Sequence, residues 1–106
     1  MSVVEVSATE AKALLEAHKV VLLDVRTEAE YELANVAEAV FIQMHELTQR
    51  VEELDPDRPT VVMCHHGMRR YQVAVFLNSL EFVSVANLTG GIDAWSLTVD
   101  QTVPRY

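Results

Sequence analysis

Residues 59–80 read PTVVMCHHGMRRYQVAVFLNSL, and the pattern changes period in the middle of them. Val61, Val62 and Met63 form a short apolar run suited to a buried strand. Beyond the following polar residues, Val73, Phe76, Leu77 and Leu80 fall at i, i+3, i+4 and i+7, one face of an amphipathic helix. Between the two stand Cys64, His65, His66, Gly67, Met68, Arg69 and Arg70. The cysteine therefore sits where a strand ends and a helix begins. A turn at such a junction can aim several backbone N–H groups into one hollow with a helix dipole behind them, which favours an anion there. A thiolate is the nucleophilic form of cysteine. The stretch predicts a cysteine-based group-transfer site.

Working outward, short apolar runs alternate with helical patterns. Val3 to Val6 reads as a strand, and Ser7 with Glu10 is a capping-box pair ahead of a helix bearing Ala8, Ala11, Leu14 and Leu15. Val20 to Leu23 reads as a strand buried on both sides, ended by Asp24, with a short acidic helix from Thr27 to about Leu33. Ala39 to Ile42 predicts a third strand and Glu46 to Leu54 a helix with Leu47, Val51 and Leu54 on one face. Asp55 to Pro59 is a breaker. Phe82 to Leu88 gives the last strand, Gly90 and Gly91 a tight turn, and Ile92 and Trp95 a final helix whose tryptophan belongs in the core. Such alternation predicts an α/β fold, a mainly parallel central sheet with helices on both faces. Chemistry in such sheets gathers at the carboxyl ends of the strands, where Asp24 and Cys64 both fall.

The 106 residues fit a single domain spanning 1–106, and half are hydrophobic, enough for a core without disulfides. A single cysteine forms no internal disulfide, and residues 1–10 lack the charged start and apolar run of a signal peptide, so a cytoplasmic setting is expected. No run approaches the ~18 apolar residues of a membrane span. Without such a run a membrane is not an expected partner, and sixteen acidic against eight basic residues give a formal charge of −8, which repels phosphate backbones, so neither is nucleic acid. On that background Arg69 and Arg70 make a local cationic spot beside the cysteine.

Three separated segments carry a resemblance. Leu22, Leu23, Asp24, Val25 and Arg26, followed by Glu30 and Tyr31, resemble the first signature of rhodanese domains. Cys64 to Arg69 resembles their active-site loop, and Gly90 to Trp95 their C-terminal signature. The resemblance implies a rhodanese-like fold and a sulfurtransferase. In that family the loop cysteine takes a sulfane sulfur from a donor such as thiosulfate and passes it to cyanide or a thiol; for this chain a protein-bound persulfide is a further expected donor. Carried onto this sequence, Cys64 is the nucleophile. His65, His66, Gly67, Met68, Arg69 and Arg70 bind the substrate, and Asp24 and Arg26 support the loop. No cofactor or metal is implied, since adjacent histidines on a tight loop do not converge on one ion. Two departures stand out: residues 34–39 read ANVAEA where the family usually carries a histidine and glycines, and Arg70 replaces a small serine.

Arg70 also follows Cys64 at the spacing of cysteine phosphatases and arsenate reductases, in which the arginine grips phosphate bidentately. Tyr71 in place of a hydroxyl-bearing neighbour and the short Asp55 to Pro59 segment weigh against that reading. A non-enzymatic rhodanese-like binding or regulatory module is the other alternative. Asp24 and Arg26 have a plainer reading too, as a solvated ion pair at a strand end.

Overall fold

Parallel pairing joins every described strand into one sheet. A computed structural model of the chain describes residues 4–64 and 68–104, with residues 68–70 described by backbone alone. The elements run β1 (Val4–Val6), α1 (Ala8–Glu16), β2 (Val21–Asp24), α2 (Glu28–Leu33), β3 (Val40–Phe41), α3 (Leu47–Arg50), β4 (Thr60–Met63), α4 (Met68–Ser79), β5 (Val85–Leu88) and α5 (Gly91–Thr98). The sheet order is β1-β5-β4-β2-β3. In the central pair Val21 lies opposite Thr60 and Asp24 opposite Met63; on the other side of β4, Val62 lies opposite Asn87. The α/β architecture expected from the alternation is present.

Successive strand side chains point to opposite faces, and two apolar clusters follow that rule. Leu22, Val61, Met63 and Leu88 join Ala8 and Ala11 of α1 and Ile92 and Trp95 of α5. Leu23, Val62 and Val85 join Leu47 of α3 and Val73, Ala74 and Leu77 of α4. Trp95 is buried, as its place in the sequence predicts.

Helix ends are fixed by local chemistry. Ser7 and Glu10 form the expected capping box, and Thr27 with Glu30 forms a second on α2. Both α1 and α4 close with a left-handed residue that is not glycine. After α1, His18 has φ 56° and Lys19 N–H donates to Leu14 O; after α4, Glu81 has φ 66° and Phe82 N–H donates to Leu77 O. These are Schellman closures. The second explains why Leu80 is exposed and Phe82 buried: the chain reverses before Leu80 can extend the apolar stripe, and Ala74 fills that stripe instead.

Two expectations need correction. The helix expected over residues 46–54 is broken into a 3-10 turn (Met44–Glu46), one turn of α-helix and a second 3-10 turn (Val51–Glu53). Leu47 and Leu54 still reach the core. The last strand is shorter than residues 82–88, because the α4 closure consumes Phe82 and its neighbours.

Gly90 caps α5 with φ 77°, and a Cβ placed there would stand 2.7 Å from the Cβ of Ala94. Gly90→Ala therefore combines a left-handed strain of about 1–3 kcal/mol with a clash against a helix that cannot retreat from the sheet. Urea unfolding of this variant is expected to show at least that loss, with an unchanged slope against denaturant.

Candidate active site

Cys64 is the first residue past β4 and continues that strand's alternation. It lies in the α4-side cluster with Val62, Val25 and Val73, and it is fully buried. Its carbonyl accepts from Ile92 N–H at 2.9 Å, so the start of α5 holds the chain as it leaves the strand. On the β2 side, Val25 N–H donates to Met63 O at 3.1 Å, and Met44 N–H donates to Val25 O. The three resembling segments thus meet around one residue. The cysteine is more enclosed than a nucleophile at an open mouth, with an apolar floor.

The remaining loop residues divide in two. His65, His66 and Gly67 lie outside the described residues. Met68, Arg69 and Arg70 open α4, which runs from Met68 to Ser79 directly after the loop. A groove of about 160 Å³ opens on the same side of the sheet, lined by Met44, Leu47, Thr48, Gln72, Val73 and Phe76. Its lining carries no charge.

Asp24 and Arg26 form a buried ion pair, both side chains fully shielded, and not the solvated pair of the plainer reading. The fork is bidentate: Arg26 Nε donates to Asp24 Oδ1 at 2.9 Å and Nη2 to Oδ2 at 2.7 Å. Nη1 donates to Glu30 O at 3.1 Å and Nη2 to Ala34 O at 2.6 Å. By alternation Asp24 shares the face of Leu22, the α1 and α5 face, opposite to Cys64. The described bonds of the pair therefore organise the segment after β2. They fix α2 and the bend at Ala34, which is where this chain lacks the glycines and histidine of the resemblance.

The sequence reading passed over Asn87. It is 1% exposed on a central strand, and its Oδ1 has no hydrogen-bond partner among the described residues. The available signal was an amide in a strand whose neighbours Val85, Ala86 and Leu88 are buried on both faces.

Truncating one member of a buried, hydrogen-bonded pair leaves the other charge uncompensated, a loss of about 3–5 kcal/mol. Arg26→Ala is expected to lose that much in denaturant unfolding. The double change Asp24→Leu with Arg26→Leu is expected to recover a substantial part, because no lone charge remains.

Comparison with known proteins agrees with this geometry. The rhodanese-like domain family matches residues 7–98. A sulfurtransferase of Allochromatium vinosum is 35% identical over 86 residues, covering 81% of this chain and 80% of that protein. The thiosulfate sulfurtransferase GlpE of Coxiella burnetii is 33% identical over 91 residues, covering 86% and 85%. Among solved structures, reduced Bacillus anthracis CoADR-RHD superposes with a TM-score of 0.85 at 26% identity; the match covers 97% of this chain and 18% of that longer one. With the family matched across most of its length and the sheet, caps and cysteine placed as described, the chain belongs to the rhodanese-like domain family.

Proposed function

We propose that the protein is a sulfurtransferase working through a persulfide on Cys64. The thiolate attacks the outer sulfur of thiosulfate, the S–S bond breaks, and sulfite leaves with the bonding pair. A cyanide ion or thiolate then attacks the outer sulfur of the persulfide and releases the Cys64 thiolate. A protein-borne persulfide is the alternative donor, by the same exchange. The observation that carries this reading is the seat of Cys64 between the end of β4 and the start of α4, pinned through its carbonyl by α5. Sulfurtransferase relatives of similar length support it.

In this reading backbone donors at His65, His66, Gly67 and Met68 bind the negative oxygens and the sulfur anion. Arg69 and Arg70 attract the donor. Asp24 and Arg26 keep the segment beside the loop in place from the opposite face. The chemistry asks for no cofactor. A reducing, cytoplasmic setting suits a single working thiol. Among the described residues no helix is long and apolar enough to cross a membrane.

Intact-mass measurement after incubation with thiosulfate, or with an organic persulfide, tests the reading. A gain of one sulfur atom, lost again on adding cyanide, is expected for the native chain. Cys64→Ser and Cys64→Ala are expected to fold normally and take up none. Absence of the adduct with every sulfane donor, with the fold intact, would leave a binding module; turnover of an aryl phosphate instead would favour phosphoryl chemistry. Arg69→Ala is expected to raise the half-saturating donor concentration by about tenfold with little change in maximal turnover, the mark of lost ground-state binding.

A further inference from the structure

Val85 and Asn87 share the α4-facing side of β5, and Val85 packs there with Val62 and Cys64. Asn87 lies opposite Val62 in the β4–β5 register. Cys64 is the next residue after Val62 on that same face. Neighbouring strands stand about 4.8 Å apart and each residue rises about 3.3 Å, so Asn87 and Cys64 are diagonal neighbours, about 8 Å apart along the backbone. Diagonal neighbours on one face lie within reach of longer side chains.

What surrounds the amide sharpens the point. Leu23, Val25, Val73 and Ala74 are buried on this face, and its buried hydroxyl, Thr60, lies opposite Val85 and donates to Arg58 O. The charged pair Asp24 and Arg26 lies on the other face. A buried oxygen without a donor is a feature that native structures rarely keep without a use.

We infer that Asn87 is a positioning residue for the sulfur of Cys64, the sheet-side hydrogen-bond partner of its reactive forms. The inference rests on the sulfurtransferase reading for its role in turnover. A carboxamide suits the task because it carries a donor. Its NH2 can turn toward a thiolate or persulfide anion, while its carbonyl accepts from no described group, the Cys64 thiol included. The side chain brings no net charge to a site that must hold anions. An aspartate of the same shape would repel them, and a leucine would offer nothing.

Two substitutions and two measurements test this. Asn87→Leu removes donor and acceptor while keeping bulk, and removing an unpartnered buried acceptor is expected to leave stability unchanged or higher. Alkylation of Cys64 by iodoacetamide, followed against pH, reads the thiolate population. In Asn87→Leu its rate at about pH 7 is expected to fall about tenfold and to converge with the native rate at about pH 10, where every thiol is ionised. Asn87→Asp is expected to fall further at neutral pH, and both variants should load sulfur from thiosulfate more slowly. A purely structural amide, or one bonded to a buried water, would leave the alkylation profile in place. Profiles that coincide with the native one in the folded variants overturn the inference, and Asn87→Asp alone suffices if the leucine variant does not fold. Native protein that takes up no sulfur would overturn the transfer reading instead, while the alkylation comparison still decides the role of Asn87.

Discussion

The register between β2 and β4 is the constraint on which the site depends. Parallel strands deliver their carboxyl ends to one edge, so the segment after Asp24 and the segment after Met63 emerge side by side. Val25 N–H bonded to Met63 O continues the ladder one step beyond the strands. Because Asp24 lies opposite Met63 and not opposite Cys64, the carboxylate and the sulfur fall on different faces. A slip of one residue would exchange every side chain between faces. It would bury a carboxylate against Cys64 and remove the cation from the carbonyls it serves. The apolar pattern of both strands, with Leu22 and Leu23 packed on opposite faces, fixes the register against that slip.

Arg26 shows how a full charge is held in the core. The carboxylate fork meets two of its edges, and the carbonyls of Glu30 and Ala34 meet the rest of the described bonds. Those carbonyls belong to the last turn and cap of α2; Glu30 O also accepts from Ala34 N–H, so the arginine is its second donor. A cation there also complements the negative end of the helix. One side chain therefore closes α2, bends the chain at Ala34 and ties both to β2. This arrangement needs neither glycine nor histidine between residues 34 and 39. Ala34 and Val36 are buried there instead, in the cluster that holds Trp95.

Much of this was legible in the sequence because it is local. Apolar runs with β-branched residues became the central strands, and the Ser7 and Glu10 pair became a capping box. What escaped depends on backbone choices that residue types do not announce. Glutamate seldom takes left-handed angles, so residue type carries no signal of the closure at Glu81, and the strand expected from Phe82 begins only at Val85. The stretch from Met44 to Glu53 has helical spacing but switches between 3-10 and α turns, which apolar periodicity alone does not distinguish. The separation of Asp24 from Cys64 was in principle countable. It required the register, which depends on tertiary pairing.

Electrostatics then limits what kind of anion site this chain can hold. With a formal charge of −8, the protein as a whole repels thiosulfate. That repulsion fades beyond about 8 Å at physiological salt, so attraction has to be short-ranged and built into the site. On the proposed reading, Arg69 and Arg70 act over the first few ångströms outside, and amides act on the sulfur itself. Amides do not titrate and are little affected by salt when buried, so their stabilisation persists after the donor's charge has left as sulfite. On the same reading, a persulfide would wait for its acceptor behind an apolar floor made by Val25, Val62 and Val73. Burial of Cys64, which at first looks hostile to a nucleophile, is on the proposed reading what lets a few fixed dipoles do work that water would otherwise screen.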